Sequence, residues 1–134
     1  MLRAWPYNAT LGDAGLGIAS NEDLGSPATA AYDPVTNLVL IADDSAEQRV
    51  QVFDALSYNY VLTLGTTGLA GSSNSQFSGP AGIAIDAAHQ RLFLGDQQND
   101  RVQVFAVAPT VAFASVLRAR ARSSSAIRRR SSPA

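Results

Sequence analysis

The residues of this chain that could carry out chemistry are few. The sequence has a single histidine, His89, and no cysteine. A catalytic triad needs a base beside its nucleophile, and a zinc site needs several histidines or cysteines. The sequence supplies neither combination. We therefore expect a non-catalytic protein that uses no cofactor and no metal, with His89 as a solvated turn residue.

Adjacent carboxylates at Asp43 and Asp44 form the one pattern that resembles a calcium ligand set. Calcium takes about six to eight oxygen ligands, and its helix-loop-helix sites hold them in a loop of about twelve residues with a fixed spacing. The residues that follow Asp44 do not have that spacing. The pair therefore does not predict a metal site.

Acidic and amide side chains also collect in two short segments that correspond to each other along the chain. These segments, 43–48 and 96–100, contain the six candidate binding residues: Asp43, Asp44, Glu47, Asp96, Asn99 and Asp100. A structural role is the alternative for Asp43 and Asp96, which can cap loop amides and pair with the arginine that follows each segment. The other four have no evident structural role and could bind a cationic group.

Charge is divided unevenly along the chain. Residues 1–109 contain all 11 acidic residues and four arginines, whereas the six other arginines lie between 118 and 130. An acidic surface favours a basic partner and disfavours a phosphate backbone. We therefore expect the body of the protein to bind a protein partner of basic character, and we do not expect it to bind nucleic acid.

The arginine- and serine-rich segment 118–134 departs in composition from the rest of the sequence. One interpretation is a disordered segment that binds nucleic acid or accepts phosphate. The other is a shifted reading frame, since G+C-rich codons for glycine and alanine, read out of frame, give arginine, alanine, serine and proline. Both interpretations place this segment outside the folded part of the chain.

The body contains an internal repeat with an offset of 53 residues. Residues 11–16 match residues 64–69, and after one deletion the pentapeptide Arg-Val-Gln-Val-Phe at 49–53 recurs unchanged at 101–105. Glycine, proline and aspartate fall at turn positions, with apolar runs between them. Units of four antiparallel strands that repeat every 40–55 residues or so are typical of propeller blades.

Each repeat is predicted to form four short strands. The second strand of a repeat has the apolar run of a strand buried on both faces, and the third has the alternation of a half-buried strand. An earlier copy of the fourth strand is predicted at 7–12. The strands predicted for the two repeats are 28–33, 38–43, 49–53 and 60–64, then 81–86, 91–96, 101–105 and 111–117.

Three motifs occur in a fixed order in the second unit: Phe-Ser-Gly-Pro-Ala-Gly-Ile-Ala-Ile-Asp at 77–86, Arg-Leu-Phe-Leu-Gly-Asp at 91–96 and Asn-Asp-Arg-Val-Gln-Val-Phe at 99–105. With these motifs the unit resembles an NHL repeat. The resemblance extends more loosely over residues 7–109 and implies part of a six-bladed β-propeller that serves as a binding platform. Other six-bladed propellers, such as lactonases and low-density-lipoprotein-receptor modules, are the alternative relatives.

The predicted fold is therefore all-β. We expect a partial β-propeller of about two four-stranded antiparallel blades, with one extra N-terminal strand and a disordered C-terminal tail. The propeller fragment spans 1–117, with the strand at 7–12 and the blades at 27–65 and 80–117, and the tail spans 118–134. Truncation of a longer propeller would explain this arrangement.

The expected function is a non-catalytic protein-binding or scaffold module. The alternatives are an RNA-binding module of the NHL type, or a fragment of a lactonase- or lyase-like propeller enzyme that lacks its catalytic blades. The sequence shows no signal peptide and no apolar run that could span a bilayer, so no membrane partner is expected. A homo-oligomer that completes the propeller through the 7–12 strand is a further expectation.

Overall fold

Two antiparallel sheets make up the computed structural model, which describes residues 4–12 and 20–107. The first sheet contains β1 (Pro27–Asp33), β2 (Leu38–Asp43), β3 (Arg49–Asp54) and β4 (Tyr60–Leu64). The second contains β5 (Pro80–Asp86), β6 (Arg91–Asp96) and β7 (Arg101–Ala106). These residues are all-β apart from two single-turn 3₁₀ helices at Ala87–His89 and Gln97–Asn99. The prediction of these seven strands is confirmed.

Short turns join consecutive strands within each sheet, and the long segment 65–79 joins β4 to β5. Left-handed residues make these turns possible, because a φ angle near +50° reverses the chain within a few residues. Side chains also stabilise the turns: the carboxylate of Asp33 accepts a hydrogen bond from the backbone N–H of Val35 at 3.0 Å. Four turn residues have φ angles between 49° and 58°: Asn37, Gln48, Gln90 and Asp100.

The hydrophobic core lies between the two sheets. Val52 from the first sheet and Leu92 and Leu94 from the second are buried in it. Phe77, from the connection between the sheets, is also buried, and its ring meets that of Phe105 edge-on at a centroid distance of 5.9 Å. Burial of apolar side chains on both facing surfaces holds the sheets together.

The third strand of the first sheet is more buried than the half-buried alternation predicted for it. All residues from 49 to 53 are buried, whereas β7, which has the same sequence over 101–105, alternates between half-buried and exposed. One face of β3 packs on the second sheet. On the other face, Arg49 and Gln51 donate hydrogen bonds to backbone carbonyls of residues 20–23. Both faces of β3 are therefore covered.

The strand predicted at 7–12 is wrong, since the described residues 4–12 form no strand. Trp5 is 97% exposed and Tyr7 is 81% exposed. Asn8 Nδ2 donates a hydrogen bond to the hydroxyl of Tyr58 at 2.9 Å. A strand needs the edge of a sheet to satisfy its backbone groups, and this segment pairs with no described strand.

Two other expectations, the fourth strand of the second repeat at 111–117 and the tail at 118–134, lie outside the described residues. Within the described part of the chain, β7 is the last strand, and only β6 pairs with it. The described residues form two packed sheets and no closed propeller.

Candidate functional site

Four loops meet at one end of the two sheets, and we call this end the loop face: residues 20–26, 44–48, 65–79 and 97–100. Backbone hydrogen bonds of 3.0 Å connect them, from Asp44 N to Ser26 O, from Gly68 N to Glu47 O and from Gln97 N to Gly79 O. The side chain of Gln48 also links the two sheets, since its Oε1 accepts a hydrogen bond from Gly79 N at 2.6 Å. Four of the six candidate binding residues, Asp44, Glu47, Asn99 and Asp100, therefore lie on the loop face. Asp43 and Asp96 are the last residues of the strands beside it.

Asp43, the first of these six, is fully buried and points into the structure. Its Oδ1 accepts hydrogen bonds from Gly25 N at 3.0 Å and from Ser26 N at 2.8 Å. Its Oδ2 pairs with Arg49 Nε at 3.3 Å. These contacts fix the 20–26 loop against the first sheet, as the structural alternative for Asp43 requires.

Asp96 occupies the equivalent position in the second sheet. Its Oδ1 accepts a hydrogen bond from Ser78 N at 2.6 Å, and its Oδ2 accepts one from Arg101 Nε at 2.8 Å. Burial alone would raise the pKa of Asp96, but hydrogen bonds from Ser78, Asn99, Arg101 and Gln103 outweigh it and hold the pKa below its ordinary value. Asp96 is therefore ionised at neutral pH and connects the end of β6 to Ser78 and Arg101.

Asn99 also takes part in the structure, a role that we did not expect for it from the sequence. Its Nδ2 donates hydrogen bonds of 2.9 Å to the carbonyl of Gly71 and to Asp96 Oδ2. It thus ties the long 65–79 loop to the hairpin between β6 and β7. A side-chain amide three residues after a buried carboxylate was the signal for this contact in the sequence.

Asp44, Glu47 and Asp100 are the candidate residues that remain on the surface. Asp44 and Glu47 are half-buried and Asp100 is exposed. Within the described residues, their carboxylates accept no hydrogen bond and pair with no arginine. The arginines of the loop face are already engaged, because Arg49 pairs with Asp43, and Arg101 pairs with Asp96. The surface of the loop face is therefore negatively charged.

Arg101 does more than neutralise Asp96. Its Nη1 donates to the carbonyl of Ser72 at 2.6 Å, and its Nη2 donates to the carbonyl of Ser73 at 2.8 Å. The planar guanidinium thus donates to more than one carbonyl of the 65–79 loop while it also pairs with Asp96. Two Asp–Arg pairs thus connect the strand ends to the loops of this face.

His89 lies in the turn between β5 and β6, at the opposite end of the sheet. Its Nδ1 is 2.9 Å from Asp86 Oδ2, and Arg91 Nη2 is 2.7 Å from the same oxygen. The hydrogen bond from Arg91 is the main cause that lowers the pKa of Asp86; burial acts against it, and the contacts with His89 lower the pKa further. This exposed group stabilises a turn and does not adjoin the loop face.

Within the described residues, no three histidine, cysteine, aspartate or glutamate side chains converge on a point that could hold a metal ion. That part of the chain also contains no helix with the length and apolar character needed to cross a membrane.

An apolar cavity of about 90 Å³ between the two sheets is a feature that sequence reasoning missed. Its lining includes Leu62 and Leu64 of β4, Phe105 of β7 and Val107. Among the described strands, β4 borders the first sheet and no strand takes the equivalent place in the second.

In comparisons with known proteins, no family model matches the sequence and no curated protein matches it. The likeness to NHL repeats therefore rests on the motifs in the sequence.

Proposed function

We propose that this chain is part of a β-propeller of the NHL type and acts as a non-catalytic protein-binding module. Both sheets support the propeller assignment, since they repeat one hairpin register. Asp43 lies opposite Arg49 in the first sheet, and Asp96 lies opposite Arg101 in the second. Successive sheets that pack face to face and carry their crossover loops at one end are the arrangement of propeller blades.

The partner we propose is a basic segment of another protein, bound at the loop face. The observation that carries this proposal is the set of surface carboxylates at Asp44, Glu47 and Asp100, which have no arginine partner among the described residues. Arginine or lysine side chains of a partner would supply the missing positive charge. A phosphate backbone would meet repulsion at the same surface.

A rigid loop face favours binding without a large ordering cost. The hydrogen bonds of Asp43, Asp96 and Asn99 hold the loops in place before a partner arrives. Less conformational entropy is then lost on association. The residues that fix the surface and the residues that meet the partner are therefore different, and they can be changed separately.

Binding of a synthetic oligolysine peptide of about ten residues to the full chain tests this proposal. In the triple variant Asp44→Asn, Glu47→Gln, Asp100→Asn we expect affinity to fall at least about threefold, because each exposed charge pair contributes on the order of 0.2–1 kcal/mol. Affinity for the unchanged chain is expected to fall as salt rises. Fluorescence anisotropy of a labelled peptide measures both effects.

The matched control is Asp86→Asn, which removes one carboxylate at the opposite end of the sheet. It should leave peptide affinity close to that of the unchanged chain. Equal affinity of the triple variant and the unchanged chain would contradict the proposal, and so would an equal loss in the control. Salt-sensitive binding of single-stranded RNA that the triple variant strengthens would instead favour a nucleic-acid partner.

A further inference from the structure

The outer edge of β7 is unpaired within the described residues, although β7 has the sequence of a strand that is paired on both sides. The pentapeptide Arg-Val-Gln-Val-Phe forms 49–53 in β3 and 101–105 in β7. In the first sheet, β4 pairs with that pentapeptide, with Leu64 opposite Val50 and Leu62 opposite Val52. The backbone of β7 offers the same ladder of donors and acceptors to a fourth strand.

The apolar cavity lies beside this edge and is lined by Phe105 of β7. In the first sheet, the equivalent Phe53 meets the ring of Tyr60 from β4, edge-on at 6.3 Å. The ring contact described for Phe105 is with Phe77. A strand added to β7 with an aromatic residue at the position of Tyr60 would place that ring against Phe105 and the cavity.

A second segment of the chain has the residue pattern of β4. Tyr-x-x-Thr-Leu occurs at 60–64, which is β4, and at 7–11, which is in no strand. The two segments also share a local contact. The hydroxyl of Tyr60 lies 2.8 Å from Thr63 Oγ1, and the hydroxyl of Tyr7 lies 3.0 Å from Thr10 Oγ1.

The shared contact departs from the geometry of a regular strand. Residues three apart point to opposite faces of a regular strand, so a tyrosine and a threonine at this spacing meet only if the chain departs from regularity. In β4 the departure is a bulge, where the register with β3 shifts between Val52 and Phe53. Residues 7–10 make the same side-chain contact as β4, although they lie in no strand.

The 7–11 segment is available for another molecule. Tyr7 and the neighbouring Trp5 are largely exposed, and the position that 7–11 would take in the first sheet is already filled by β4. Its backbone pairs with no described strand. A β4-like segment without a sheet and a sheet edge without a fourth strand thus occur in one chain.

We propose that residues 7–11 of one copy of this chain add to β7 of a second copy and complete its second sheet. Tyr7 then packs on Phe105, and Thr10 donates a hydrogen bond to Gln103, as Thr63 Oγ1 donates to Gln51 Oε1 in the first sheet. Each copy has one donor segment and one acceptor edge, and a ring or a reciprocal dimer of copies leaves no β7 edge open. This association does not depend on a basic partner at the loop face.

The test uses the full chain and the double variant Ala9→Pro, Thr10→Pro. Proline removes the backbone N–H, and hydrogen-bonded positions alternate along an antiparallel strand, so the double change removes at least one ladder donor. Both residues are exposed and in no strand, so each copy should keep its fold, which circular dichroism checks. Sedimentation velocity over a range of protein concentrations measures association.

We expect the unchanged chain to associate and the double variant to do so at least about tenfold more weakly, since a proline in a paired strand is strongly unfavourable. The control Ala4→Pro, which lies outside 7–11, should associate like the unchanged chain. Hydrogen exchange adds a local readout: amides of β7 should become protected as the unchanged chain associates, and not in the double variant.

Three results would overturn the proposal. The first is an unchanged chain that stays monomeric at every concentration. The second is a double variant that associates as tightly as the unchanged chain, which would point to contact through another surface. The third is protection of β7 amides in a monomer, which would show that residues of the same chain cover the edge.

Discussion

Val52 and Val104 occupy the same place in two identical pentapeptides, yet Val52 is 2% exposed and Val104 is 55% exposed. Val52 faces the second sheet and belongs to the core between the sheets. Val104 faces outward from the second sheet, where no described sheet follows. The same pentapeptide is therefore buried in one sheet and partly exposed in the other, because only the first sheet has another described sheet packed against that face.

Substitution of each valine by alanine should lower the free energy of unfolding by different amounts in the two environments. We expect Val52→Ala to lower the free energy of unfolding by about 2 kcal/mol, because it leaves a cavity in the core. Val104→Ala should cost less than about 0.5 kcal/mol, as is usual at an exposed position. Urea denaturation of both variants measures the difference, and equal losses would show that Val104 is covered in solution.

Asp96→Asn should make the protein less stable at neutral pH. The variant loses the charge of a buried carboxylate that pairs with Arg101, and we expect a cost of about 3 kcal/mol. Asp44→Asn is the matched control, since this half-buried carboxylate has no partner among the described residues, and it should cost less than about 0.5 kcal/mol. Denaturant titrations at about pH 7 give both values.

The pKa of Asp96 also predicts how stability changes with pH. Its folded-state pKa lies below its unfolded value of about 3.9, so its contribution is present above that value and is lost as the pH falls through the folded pKa. In the acid range below about pH 4, the unfolding free energy of the unchanged chain should fall more steeply than that of Asp96→Asn. Parallel curves for the two proteins would contradict this assignment.

Gly65→Ala should be strongly destabilising, whereas Gly82→Ala should be tolerated. Gly65 has a φ of 93°, and a Cβ added there would lie 2.8 Å from the buried ring of Phe77. Strain and overlap together should cost about 2–4 kcal/mol. A Cβ at Gly82 meets no atom within 4 Å, and alanine reduces the entropy of the unfolded chain there. Thermal unfolding of the two variants tests the contrast.

Arg101→Lys should be destabilising although it preserves charge. The guanidinium donates to Asp96 and to carbonyls of the 65–79 loop, and one ammonium cannot reach all of these acceptors. We expect a cost of about 1–2 kcal/mol. Arg91→Lys, at an exposed turn, should stay within about 0.5 kcal/mol. Faster proteolysis of the 65–79 loop in Arg101→Lys alone would locate the effect.

The strands could be predicted from the sequence because their signals are local. Turn residues such as Asn37 and the repeated pentapeptide mark where strands begin and end, and these signals act over a few residues. Burial of β3 on both faces could not be predicted, because residues 20–23 cover it from about 30 positions away in sequence. The wrong prediction at 7–12 has the same origin. A residue pattern gives a segment a preference for the strand conformation, but a strand forms only where the segment pairs with the edge of another strand.

The position of the loop face could be predicted from the sequence, but the role of each residue in it could be predicted only in part. Alternate connections of an antiparallel sheet lie at the same end, and a structural role for Asp43 and Asp96 was one of two interpretations of the sequence. The part taken by Asn99 was not expected, since it depends on the path of the 65–79 loop, which brings the carbonyl of Gly71 to it. The path of a loop depends on many weak contacts, and the sequence of the loop alone does not predict them.

The order of the strands within each sheet has a consequence for how the protein folds. Every described strand pair joins neighbours in sequence, so the contacts that form a sheet are short-range along the chain. Short-range contacts close small loops and form quickly. During synthesis, the hairpins of the first sheet can form before residues 80–106 leave the ribosome, and the core between the sheets assembles afterwards.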